Sequence, residues 1–140
     1  MQSDEAMAEQ KHQFFVAIVE DDAGIRAAIQ AVLNSHGFRA RGFSNAERFL
    51  RSKGGRSAAC LVLDVRLPGM SGLELQKRLH AQGLAIPTIF VTAEADADVK
   101  LQTQLLQCGA MAVLHKPFDP ERLTKLVQRC ARRAASALRL

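Results

Sequence analysis

The chain contains no tryptophan and no tyrosine; its aromatics are seven phenylalanines. Rings that could stack on successive bases are scarce, so a platform for single-stranded nucleic acid is not expected. Nowhere do apolar residues run for the roughly 20 positions a membrane-spanning helix needs. Residues 1–12 are polar and lack the apolar stretch of a secretory signal, and they read as a mobile tail. Cysteine is sparse. Cys60, Cys108 and Cys130 are odd in number and lack metal-ligand spacing. Each lies in an apolar pattern, so buried free thiols in a reducing cytoplasm are expected, with a redox role as the lesser alternative. There is no internal repeat and no low-complexity tract.

Acids are in deficit, 14 against 19 lysines and arginines, for a net charge of +5. Much of the excess falls on Arg122, Lys125, Arg129, Arg132, Arg133 and Arg139, and on residues 39–56. A solvated basic face is the plain reading; contact with DNA, an acidic partner or an anionic surface is the alternative. With 140 residues, 48% hydrophobic and 24% charged, the chain suits one globular domain with a single core.

What is present is an alternation of short apolar runs and amphipathic stretches. Residues 14–19 read as a strand buried on both faces. A helix over 23–36 carries Ile25, Ile29, Val32, Leu33 and His36 on its inner stripe, and Gly37 stops it. Residues 38–42 form a short strand. Ser44-Asn45-Ala46-Glu47 has the pattern of a capping box opening a helix with Phe49 and Leu50 inward. Residues 53–57 are a loop, and Cys60 to Asp64 is the central strand. A second capping box, Ser71-Gly72-Leu73-Glu74, opens a helix that stops at Gly83. Residues 87–92 form the next strand, followed by a helix with Leu101, Leu105 and Leu106. Residues 110–114 form the last strand. Asp119-Pro120-Glu121 opens the last helix, whose inner stripe is Leu123, Leu126, Val127, Cys130 and Ala134. Five strands alternating with five helices imply an α/β fold, a parallel sheet covered on both faces. In such a sheet ligands bind beyond the carboxyl ends of the strands.

Five polar residues fall at that edge: Glu20 and Asp21 after the first strand, Asp64 at the end of the third, Thr92 at the end of the fourth, and Lys116 after the fifth. Singly, each has a bland reading as a helix cap, a backbone-bonded hydroxyl or a surface amine. Asp22 itself reads as a cap. Together they make a phosphoryl-transfer site. Crowded carboxylates demand a cation, and Mg2+ prefers hard oxygens while keeping several waters. Asp21 and Asp64 are expected to bind it directly, Glu20 through a water, and the backbone carbonyl of Arg66 to complete the set, with Mn2+ as a substitute ion. Asp64 is the candidate nucleophile, forming an acyl phosphate. Lys116 and Thr92 would receive phosphoryl oxygens, and Ala93 leaves space for the group to enter.

These residues resemble the receiver domain of two-component response regulators. The carrying motifs are Val19-Glu20-Asp21-Asp22, the stretch from Leu63 to Gly72, Val91-Thr92-Ala93 and Lys116-Pro117-Phe118. The Asp64 segment is most similar to receivers of nitrogen-fixation and aromatic-degradation regulators, whose outputs are helix-turn-helix domains. In that family a helix residue, usually Arg, lies five positions after the metal-binding acid; Arg26 therefore points to Asp21, with Glu20 as its pair. The resemblance implies a flavodoxin-like (βα)5 doubly wound sheet, strand order 2-1-3-4-5, in three αβα layers. It implies a receiver domain over 13–134, with 135–140 a helix extension or the start of a linker. It also implies phosphorylation of Asp64 by a histidine kinase or phosphotransfer protein, hydrolysis by water, and a cis Lys116-Pro117 bond. A cytoplasmic protein is expected, with no membrane contact. A homodimer would use the face of the fourth helix, fifth strand and fifth helix. DNA would be reached only through an output domain beyond this chain.

Two departures stand out. The family's aromatic switch position, three residues before the lysine, is Val113 here. The segment from Thr92 to Gly109 is about two residues longer than usual. Arg66 and Glu94, two residues after Asp64 and Thr92, occupy positions that tune phosphate lifetime in the family, and could pair across the entrance. Two other functions compete. An aspartyl phosphatase needs an acid where Arg66 stands, and a cap domain for which the chain has no room. A receiver-like module that signals without phosphorylation would be expected to lack a site residue, and none is missing.

Overall fold

The structure, a computed structural model, describes residues 14–93 and 98–138. The tail expected over 1–12 and the expected pocket residue Glu94 lie outside the described residues. Eleven elements follow in order: β1 (Phe15–Val19), α1 (Ala23–Ser35), β2 (Arg39–Phe43), α2 (Ala46–Arg51), a 3-10 turn (Gly55–Ser57), β3 (Cys60–Asp64), α3 (Gly72–Ala81), β4 (Thr88–Thr92), α4 (Val99–Gln107), β5 (Ala110–His115) and α5 (Pro120–Leu138). The strands form one sheet in the order β2-β1-β3-β4-β5, with every neighbouring pair parallel. This is the flavodoxin-like arrangement expected from the sequence.

Strand alternation decides which helix covers which face. Val16 and Ile18 of β1, Val62 of β3, Ile89 and Val91 of β4 and Leu114 of β5 share one core layer with Ile29 and Leu33 of α1 and Leu123, Val127 and Cys130 of α5. The residues between them, Ala17, Val19, Leu61, Leu63 and Phe90, pack with Phe49 of α2, Leu75 and Leu79 of α3 and Leu105 of α4. Two apolar layers thus enclose the sheet, and continuous apolar runs in β1, β3 and β4 are the price of burial on both faces.

The helix signals are mostly those the sequence carries. Asp22 caps α1, its side chain accepting from the Ile25 N–H, and Gly37 follows that helix at φ 84°. Ser71 caps α3 by accepting from the Glu74 N–H at 3.1 Å. At α2 the expectation shifts by one residue. Asn45, not Ser44, is the cap and accepts from the Arg48 N–H at 2.8 Å. Glu47 then stands one position too early for a capping box, and its carboxylate instead accepts the Met70 N–H at 2.8 Å. Three smaller differences accompany this. His36 follows the end of α1 as its exposed C-cap rather than packing inward. Part of the expected loop at 53–57 winds into the 3-10 turn. Cys108 is a half-buried thiol, whereas Cys60 and Cys130 are buried.

Candidate functional site

All five polar strand-end residues lie at the carboxyl edge of the sheet. Glu20 follows β1, and its backbone N–H donates to Phe43 O at 3.0 Å, which fixes it at the β1–β2 edge. Arg26 of α1 donates from Nη1 to Glu20 O at 2.7 Å. Its stem crosses Gly42, where a Cβ would come within 2.9 Å of Arg26 Cγ. The residue that indicates the register of the acid pair is thus the one that holds the turn. Lys116 follows β5 and is tied to β4 by its own N–H, which donates to Thr92 O at 2.7 Å. The Lys116–Pro117 peptide is cis, as expected.

Asp64 ends the central strand and is 7% exposed; Glu20 is 2% exposed. Asp64 Oδ1 accepts the Arg66 N–H at 3.0 Å, and Oδ2 accepts from Lys116 Nζ at 3.0 Å. The same ammonium donates to Glu20 Oε1 at 2.5 Å. One carboxylate oxygen each from Glu20, Asp21 and Asp64 lies within 4.8 Å of the others, with Asp21 exposed. Gly72 presses the following turn against the site. A Cβ there would collide with Asp64 O.

This crowding shifts the charges. Burial pushes the Glu20 carboxyl up from its ordinary 4.5 to about 7; Asp64 adds to the rise and Lys116 opposes it. Burial acting alone would lower the Lys116 ammonium, but its bonds to Glu20 and Asp64 outweigh that and raise it. Lys116 therefore stays charged between two carboxylates. Three hard oxygen donors, two buried and one open to water, fit Mg2+, which takes one or two carboxylates and keeps waters.

Thr92 is buried, and its Oγ1 lies 3.0 Å from His115 Nδ1. This partner is absent from the sequence reading. The signal for it is indirect: His115 stands at the end of the last strand, beside Lys116, as Thr92 does in the strand before. Ala93 is exposed next to Thr92, and Arg66 is exposed beyond Asp64. Val113 is half-buried and packs in the α2–α3–α4 layer. Beside the site an apolar groove of about 490 Å3 runs between α1 and the turn into α5, lined by Ile25, Ala28, Val32, Pro117 and Phe118, and it reaches Lys116.

The site is thus a parallel five-stranded sheet with three acids, a hydroxyl and an ammonium at its carboxyl edge. The response regulator receiver domain model matches residues 16–128, and the chain belongs to that family. Among curated relatives it is 37% identical over 122 residues to the transcriptional regulatory protein FixJ of Bradyrhizobium diazoefficiens, covering 87% of this chain and 58% of FixJ. It is 37% identical over 108 residues to the response regulator protein TmoT of Ectopseudomonas mendocina, covering 77% of this chain and 48% of TmoT. The chain spans about half the length of the curated relatives it matches. Among solved structures it is similar to full-length FixJ from B. japonicum, with a TM-score of 0.80 at 35% identity, covering 91% of this chain and 62% of that one. The response regulator StyR gives 0.78 at 33% identity, covering 91% and 63%.

Receiver domains are phosphoacceptor signalling domains of two-component systems rather than classical enzymes. The family binds Mg2+ at an acidic pocket and works with histidine kinases and output domains. Among the described residues no helix is long and apolar enough to cross a membrane.

Proposed function

We propose that the protein is a cytoplasmic switch that accepts a phosphoryl group on Asp64 from the phosphohistidine of a histidine kinase or phosphotransfer protein. The observation that carries this reading is the buried Asp64 carboxylate, held by the Arg66 amide and Lys116 and adjoined by Glu20 and Asp21. A carboxylate oxygen of Asp64 attacks phosphorus, the P–N bond breaks, and its electrons leave with the imidazole. Lys116 passes from the carboxylate to a phosphoryl oxygen, and Thr92 donates its hydroxyl proton to another. Ala93 leaves room beside them. Asp21 and Asp64 would hold Mg2+ directly, with Glu20 acting through a water and the Arg66 carbonyl as a further ligand. The ion would neutralise charge on the carboxylates and on the phosphoryl oxygens. Water later attacks phosphorus and restores the carboxylate; Arg66 and Glu94 set how fast.

The phosphorylated state alters the α4–β5–α5 face, and the relatives support a transcriptional output reached by an output domain, with homodimerisation through that face. Acetyl phosphate with Mg2+ tests the reading. A gain of one phosphoryl mass, lost in Asp64→Asn, is expected. Failure of the folded wild-type protein to gain mass would leave a receiver-like module that signals without phosphorylation.

A further inference from the structure

Thr92 and His115 are direct partners in the β4–β5 register. Alternation puts both on the face that carries Phe90 and Val113, the side covered by α4. Their polar atoms are 3.0 Å apart, Thr92 is 2% exposed, and His115 is half-buried at the edge of the sheet. A hydroxyl has one proton and two lone pairs, and a neutral imidazole has one donor nitrogen and one acceptor nitrogen. If the ring proton is on Nε2, Nδ1 accepts and takes the only proton Thr92 has. If it is on Nδ1, the ring donates, and the hydroxyl proton is free for another acceptor. Thr92 therefore cannot donate to a phosphoryl oxygen while it donates to His115. With the ring proton on Nε2, the bond must reverse or break as the phosphoryl group arrives.

We propose that His115 is the positioning residue of Thr92, and that its ring carries the phosphorylation signal to the β5 edge, two positions along the same face from Val113. The proposal rests on the phosphoacceptor reading above. No change of ring charge is required. A proton leaves Nε2 to water and another arrives at Nδ1, or the ring turns away as the hydroxyl does. An aromatic at Val113 would respond to vacated space. His115 responds instead to a hydrogen bond, so the signal starts one strand residue from Lys116.

The test is the His115 ring in the whole protein, followed by nitrogen-15 resonance before and after acetyl phosphate and Mg2+. Phosphorylation is expected to shift Nδ1 and Nε2, and the shift is expected to vanish in Thr92→Val. His115→Val is expected to keep the phosphoryl mass gain while losing at least roughly half of the amide shifts that phosphorylation causes in β5 and α4. His115→Asn, which places an amide near Nδ1, restores them. A wild-type protein that gains no phosphoryl mass overturns both readings. A protein that gains it with ring resonances unmoved, or with His115→Val propagating the shifts in full, overturns the role of His115 alone.

Discussion

Glu20 has the most perturbed charge in the site, and its titration has a definite sign. Its folded value, about 7, lies above the ordinary 4.5, because burial and Asp64 disfavour the carboxylate. The folded state therefore holds the proton more tightly than the unfolded one. In metal-free protein the stabilisation is fully present below 4.5 and is lost as pH rises through about 7. Thermal unfolding with chelator should follow that slope, and Glu20→Gln should flatten it. Mg2+ competes with the same proton, so the rise in Tm that the ion produces should be larger above about 7 than below it. An ion effect independent of pH would separate Glu20 from the metal. A second residue-scale expectation concerns Arg66, exposed at the entrance. Arg66→Ala should shorten the lifetime of the acyl phosphate, measured as decay of the labelled protein; an unchanged lifetime removes Arg66 from that role.

Elements carry the corrected details. Ser71 and Asn45 cap their helices, so replacing either with alanine should cost about 1 kcal/mol in denaturant unfolding, whereas Ser44→Ala should cost close to nothing. Equal losses at Ser44 and Asn45 would contradict the observed cap. The edge positions of Glu20, Asp21, Asp64, Thr92 and Lys116 were legible in the sequence because a strand's end is marked locally, by an apolar run meeting a turn, and parallel topology then gathers those ends. The partners of Glu47 and Thr92 were not legible. Glu47 reaches Met70 across 23 positions, and both Ser44 and Asn45 are capping types, so only the path of the turn after β3 separates them. Thr92 meets His115 through a β4–β5 register that slips between Thr88 and Ile89, which no local pattern announces. His36 leaves the inner stripe because its N–H bonds three residues back, to Leu33 O at 3.1 Å, so the last turn tightens where the helical spacing predicts an inward side chain.

At the scale of the molecule, two surfaces should answer to different partners. Ala28 is exposed on α1 and lines the groove beside Lys116. Ala28→Arg should slow transfer from a phosphohistidine donor roughly tenfold, about 1.4 kcal/mol of docking, while labelling by acetyl phosphate is unchanged. Val99 and Leu106 of α4 are 82% and 49% exposed, the large apolar side chains left uncovered among the described residues. If they meet a second copy, Leu106→Glu should abolish phosphorylation-dependent dimerisation in light scattering without lowering Tm, because the side chain is already open to water.

The order β2-β1-β3-β4-β5 puts the strand of Asp64 at the centre of the sheet and that of His115 at its rim. Amides of Leu61, Val62 and Leu63 lie between paired strands under two apolar layers, so their hydrogens should exchange only when the whole molecule opens. Those of β5 have pairing on one side and should exchange through smaller openings. That exchange pattern would make the sheet stiff at the proposed phosphoacceptor and compliant at the strand proposed to carry its signal.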